Sequence, residues 1–217
     1  MPKFDMVAFD CDGVLVDSEP ITCGVLAGML NELGWQVSLE ETMRIFVGRL
    51  VRDEAAMIEA NISKPMPPDF YLQFVERRNR ALEAGVDPVR GIKAAVAQLL
   101  EREMPFCVAS GADRAKMRLT LGQTGLLPWF ERNMFSGMEV PRTKPAPDVY
   151  LLAAETMGMH PSRCVVIEDT PTGIAAGRAA GMTVYGYAER MDPQRLLDAG
   201  ASRVFDDMAL LPQLVLE

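Results

Sequence analysis

Short apolar runs that stop at a carboxylate or a small polar residue recur along the chain: MVAFD at 6–10, FCVAS at 106–110, CVVIED at 164–169 and TVYGY at 183–187. Each is bounded by Gly, Pro or charged residues, the pattern of strands buried on both faces. Between them the period changes. In 92–103, Ile92, Ala95, Val96, Leu99 and Leu100 fall on one helical stripe. Residues 113–122, 147–158 and the Ala/Gly-rich stretch 172–181 read as helices too. Strands alternating with helices predict βαβ units and a parallel sheet.

One interval breaks the alternation. From about 16 to 85 no strand pattern occurs, only helical segments at 21–33, 39–46, 52–60 and 69–84, with Pro65, Pro67 and Pro68 before the last. A block of this length cannot be one crossover of the sheet. It predicts a helical subdomain over 17–87 inserted into an α/β core of 1–16 and 88–217, with turn-forming hinges at 16–20 and 86–91.

The composition is that of a folded globule: 217 residues, 49% hydrophobic and 24% charged. With 22 basic and 30 acidic residues the net charge is −8, which argues against a general nucleic-acid or anionic-membrane binder. No stretch approaches the ~18 consecutive apolar residues of a membrane span. The N-terminus carries Asp5 and no apolar run of the secretory type. Cys11, Cys23, Cys107 and Cys164 show no C-x-x-C spacing, and three of them sit in apolar runs. They are expected to be free thiols of a reducing compartment, so the chain reads as soluble and cytoplasmic. Gly173, Gly177 and Gly181 have the small-xxx-small spacing of membrane helices, but beside Pro171 and Arg178 they predict a soluble helix lying close to the sheet.

In open α/β sheets, ligands bind beyond the carboxyl ends of the strands. There the first strand delivers Asp10, Cys11, Asp12 and Gly13, and the FCVAS run delivers Ser110 and Gly111. Thr143, Lys144 and Pro145 open a predicted helix, and CVVI delivers Glu168 and Asp169. Asp10 and Asp12, two residues apart, are expected to point the same way, with Gly13 letting the chain turn sharply. Taken alone, such a pair fits an acidic strand end or helix cap. With Glu168 and Asp169 it forms an all-oxygen anionic site suited to Mg²⁺ rather than zinc or copper. A lysine at a helix start opposes the helix dipole, so Lys144 is expected to serve something anionic. Ser110 and Gly111 offer a hydroxyl and backbone N–H groups for a phosphate, although Ser110 also fits a plain N-cap.

Asp10-Cys11-Asp12-Gly13-Val14-Leu15-Val16-Asp17-Ser18-Glu19 resembles the first motif of the haloacid dehalogenase (HAD) superfamily. Val108-Ala109-Ser110-Gly111 resembles its second, Lys144-Pro145 its third, and Val166-Ile167-Glu168-Asp169 its fourth, in the family's order. The resemblance implies a Rossmann-like core with a helical cap. It implies a phosphatase with Mg²⁺ as cofactor, bound through Asp10, Asp12 (by its carbonyl), Glu168 and Asp169. Asp10 would be the nucleophile that forms an aspartyl-phosphate. Asp12 would be general acid, then base, while Lys144, Ser110 and Gly111 hold the phosphoryl oxygens.

Dehalogenases of this superfamily lack the second carboxylate, which Asp12 supplies here. Its sugar-phosphate mutases, the alternative activity, carry a cap histidine where this chain reads Pro20-Ile21-Thr22-Cys23, and the single histidine is His160. A non-catalytic phospho-ligand-binding module would have little reason to keep both Asp10 and Asp12. Phe46-Val47-Gly48-Arg49 resembles the cap loop that reaches the active site, so Gly48 and Arg49 are expected to contact substrate. Arg52 is a further candidate, and solvated helix-start arginines are the plainer reading of both. The expected partner is a small phosphorylated metabolite, a sugar phosphate or sugar-acid phosphate, acted on by a monomer or weak homodimer.

Overall fold

A computed structural model describes residues 3–49 and 51–217. The chain separates into two compact units, one built from the residues up to Asp17 with Asp87–Glu217, the other from Ser18–Val86.

The first unit holds a six-stranded, all-parallel sheet of β1 (Met6–Phe9), β2 (Phe106–Ser110), β3 (Met134–Ser136), β4 (Cys164–Glu168), β5 (Thr183–Tyr187) and β6 (Arg203–Phe205). The order is β3-β2-β1-β4-β5-β6, so the chain works outward on one side of β1 and then on the other. This reversal places the carboxyl ends of β1, β2 and β4 side by side. Every residue of β1, β2 and β4 is buried, as the unbroken apolar runs predict. The mixed α/β class with a parallel sheet is as expected. Strands β3 and β6 were not foreseen, each being three residues long and offering no periodicity.

Helices of this unit are α5 (Ile92–Glu101), α6 (Arg114–Gln123), α7 (Leu127–Phe130), α8 (Asp148–Thr156), α9 (Pro171–Ala179), α10 (Pro193–Asp198) and α11 (Leu211–Leu216). Helices α1 to α4 belong to the second unit. Helix α9 starts on Thr170 as N-cap with Pro171 following, the side chain accepting from Gly173 N–H. A methyl group at Gly177 would press on Val184 at 2.7 Å and Val166 at 3.2 Å, so this glycine lets α9 lie against the sheet as expected. The chain leaves and re-enters this unit through paired backbone: Asp17 N–H donates to Asp87 O at 2.9 Å, and Val89 N–H to Leu15 O at 3.1 Å.

The second unit is helical: α1 (Glu19–Glu32), α2 (Leu39–Phe46), α3 (Ala55–Asn61) and α4 (Phe70–Glu83). Its core joins Leu26, Met29 and Leu30 of α1 to Phe46, Ile58, Phe70 and Phe74. A capping box between Ser38 and Glu41 starts α2. The helix expected over 52–60 is split into a 3-10 turn, Val51–Asp53, and α3, with Glu54 between them.

Two local expectations fail. Pro145 is not the first residue of a helix: the Lys144–Pro145 bond is cis, and α8 begins at Asp148. Proline disfavours the helical region for the residue before it, and Pro145 and Pro147 impose that twice. Ser110 likewise closes β2, and the N-cap of α6 is Asp113. Among the described residues no helix is long and apolar enough to cross a membrane. All four cysteines are free and buried.

Candidate active site

Asp10 follows β1 directly, and its N–H donates to Ile167 O of β4 at 3.0 Å, tying the exits of the two central strands together. Lys144, from the turn ahead of α8, reaches this junction. Its Nζ donates to Asp10 Oδ1 and to Glu168 Oε1, both at 2.7 Å. Tyr150 of α8 adds a third partner, its hydroxyl donating to Glu168 Oε1 at 2.9 Å. The Thr170 N–H and hydroxyl donate to Glu168 Oε2 at 3.3 and 3.0 Å. Lys144 Nζ also lies 4.7 Å from the centre of the Tyr150 ring, a cation–π contact.

Burial raises the pKa of Asp10 to about 7, helped by the charges of Glu168 and Asp12 and opposed by Lys144. Burial works against the Lys144 ammonium, but Asp10 and Glu168 more than offset it and hold its pKa well above the ordinary value. Burial pushes the Tyr150 phenol up, which keeps it a donor.

Asp10, Glu168 and Asp169 are buried and each offers an oxygen within 4.8 Å of the others. Three buried carboxylates crowded within reach of one another repel, a condition that a cation relieves. The donors are all hard oxygens, so the residues fit a divalent cation of the Mg²⁺ kind. Space for this is made by glycine. A side chain on Gly13, at φ +74°, would collide with the Asp169 carboxylate, and one on Gly173 with that of Glu168.

The side chain of Asp12 takes a different partner from that of Asp10. Both its oxygens accept from Lys116 Nζ of α6, at 2.9 Å each. Ser110 is buried at the end of β2, where its Oγ accepts from Ala112 N–H at 3.1 Å, with Gly111 in the bend between. Gly48 and Arg49 lie in the second unit, after α2, where Arg49 pairs with Glu54 at 3.2 Å. Arg52 pairs with Asp53 at 3.6 Å. Three residues of this edge, Lys116, Tyr150 and Thr170, belong to none of the four sequence motifs. Lys116, in the first turn of α6, has the helix-start position that was expected of Lys144. Tyr150 sits on the buried stripe of its helix, where an aromatic reads as core.

The family of haloacid dehalogenase-like hydrolases matches residues 4–181. The chain belongs to that family. Among curated HAD relatives, the 6-phosphogluconate phosphatase of Escherichia coli K12 is 26% identical over 218 residues, 99% of this chain and 96% of that protein. The fructose-1-phosphate phosphatase of the same organism is 31% identical over 180 residues, 83% of this chain and 94% of that protein. A solved HAD family hydrolase of Deinococcus radiodurans R1, holding phosphate and sodium, matches with a TM-score of 0.83 at 34% identity, covering 97% of this chain and 94% of that one. These matches bear out the expectation of a HAD hydrolase of phosphoric monoesters.

Proposed function

We propose that this chain is a Mg²⁺-dependent phosphatase of a small sugar phosphate or sugar-acid phosphate, acting through an aspartyl-phosphate on Asp10. The observation that carries the reading is the position of Lys144, shared between Asp10 and Glu168 at 2.7 Å each, at the edge where β1 and β4 end. The names of the E. coli relatives support the substrate class.

Asp10, Asp169 and the backbone carbonyl of Asp12 would hold the cation directly. Glu168, with both oxygens engaged by protein donors, would act through a hydration water. Bound there, Mg²⁺ supplies positive charge that keeps Asp10 ionised and screens the incoming phosphoryl oxygens. Asp10 Oδ attacks phosphorus while the bond from phosphorus to the leaving oxygen breaks, and Asp12 gives that oxygen its proton. Asp12 then takes a proton from water as the water oxygen attacks phosphorus, which returns the Asp10 carboxylate and releases phosphate. Lys144 and Ser110, with Gly111, orient and balance the phosphoryl oxygens. The helical unit 18–86 would be the cap, with Gly48 and Arg49 facing substrate. The free buried thiols support a cytoplasmic setting.

The alternative, a sugar-phosphate mutase, would call for a histidine in the helical unit. The chain's one histidine, His160, caps a turn ahead of β4, at the end of that strand opposite Glu168. The deciding experiment measures phosphate released from a panel of sugar phosphates and sugar-acid phosphates, with Mg²⁺ and with EDTA. Turnover should need Mg²⁺ and vanish in Asp10→Asn; undiminished release in either control sinks the proposal.

A further inference from the structure

Lys116 stands in the first turn of α6, where the helix dipole disfavours a cation. Its backbone is fixed there: its N–H donates to Asp113 Oδ1 at 2.9 Å, and its carbonyl accepts from the Thr120 hydroxyl at 3.1 Å. From this anchored position the side chain runs inward until only 10% of it is exposed, and Nζ lies 2.9 Å from both oxygens of Asp12, itself 18% exposed. A lysine this well hidden loses hydration and side-chain freedom, a cost that an exposed ion pair avoids. A contact at 2.9 Å to both oxygens also holds the carboxylate in one place, facing the ammonium of a side chain whose backbone is anchored.

We infer that Lys116 is a positioning residue for the acid–base step, holding the Asp12 carboxylate so that one oxygen faces the leaving group and then the water. This deepens the proposed function and rests on it. Asp10 is tied to Lys144, which it shares with Glu168, and Asp12 to Lys116, so the two carboxylates are held by different cations.

The role makes a demand that a structural ion pair does not. Sugar phosphates leave as alkoxides and need the proton from Asp12, whereas p-nitrophenyl phosphate leaves as a stabilised phenolate and hardly needs it. The value of kcat/KM reports the first phosphoryl transfer. Lys116→Met should therefore lower kcat/KM about 100-fold for the best sugar phosphate and less than about 10-fold for p-nitrophenyl phosphate, general acid catalysis being worth ~10²–10⁴. Lys116→Arg, which keeps a cation there, should recover most of the loss on the sugar phosphate. Lys116→Met in an Asp12→Asn background should add no further loss, since Lys116 acts through Asp12. Equal losses on both substrates, or additive losses in the double variant, would overturn the assignment. So would an Asp12→Asn enzyme with the same loss on both substrates. Should Lys116→Met fail to fold, the Arg variant decides: a sugar-phosphate loss no greater than its p-nitrophenyl phosphate loss supports the role, and a larger one unaccompanied by the same bias in Asp12→Asn overturns it. Turnover that survives Asp10→Asn marks the separate failure of the phosphatase mechanism.

Discussion

Gly173 and the carboxylate of Glu168 occupy the same small volume: a methyl group on the glycine would overlap both Glu168 oxygens. The close approach lets α9 begin immediately after the end of β4, with the Thr170 hydroxyl donating to Glu168, two residues before it, at 3.0 Å. Gly173→Ala should therefore displace Glu168 from Lys144 and Tyr150. Overpacking of this kind costs ~1–3 kcal/mol. The expected outcome is a lower melting temperature together with at least a ~10-fold loss in kcat/KM, read by thermal unfolding and phosphate release. A variant as stable and active as the parent would show that Glu168 moves freely.

Lys144 Nζ lies 2.7 Å from both Asp10 and Glu168, and its side chain is only 9% exposed. Lys144→Met leaves two carboxylates buried and facing each other. Removing one member of a buried ionic group costs ~3–5 kcal/mol. The urea midpoint of the metal-free protein should fall accordingly, and turnover should be lost. An unchanged midpoint would mean that solvent already screens these charges.

The parts of the site that could be read in the sequence are those where a polar residue interrupts a run of buried ones. Asp10, Ser110 and Glu168 each close or follow a strand whose other residues are all buried, so the run locates the edge. The helix 39–46 matched because its polar and apolar faces alternate cleanly behind a capping box. Tyr150 could not be separated from core aromatics, because what distinguishes it is a hydroxyl 2.9 Å from a residue 18 positions away. Strands β3 and β6 are held by pairing to β2 and β5, a tertiary cause with no local imprint.

Stability should depend on pH through Asp10. Folded, it holds its proton up to about 7, against 3.8 for the ordinary group. Between these values the folded state binds more protons than the unfolded chain, so this contribution falls as pH rises, by at most ~1.4 kcal/mol per pH unit. In EDTA, the stability of the parent relative to Asp10→Asn should decline from pH 4 to pH 7. Added Mg²⁺ should restore the parent at the upper end of that window. A difference that stays flat or grows with pH would place Asp10 in a charged resting state.

Arg49 tests the substrate side. It pairs with Glu54 within the helical unit, and half of its side chain is exposed, 51%. Such a pair contributes little to stability because water screens it. Arg49→Ala should therefore leave unfolding within ~0.5 kcal/mol of the parent, so that any kinetic change reports binding. If the guanidinium grips a carboxylate or hydroxyl of the sugar, KM for sugar-acid phosphates should rise ~10-fold, one charged hydrogen bond's worth, with kcat little changed. Because the phosphoryl group is held elsewhere, the rise should be smaller for neutral sugar phosphates. A KM unaltered across the whole panel would leave Arg49 a solvated cation of the helical unit, and the choice of substrate would then have to come from other residues.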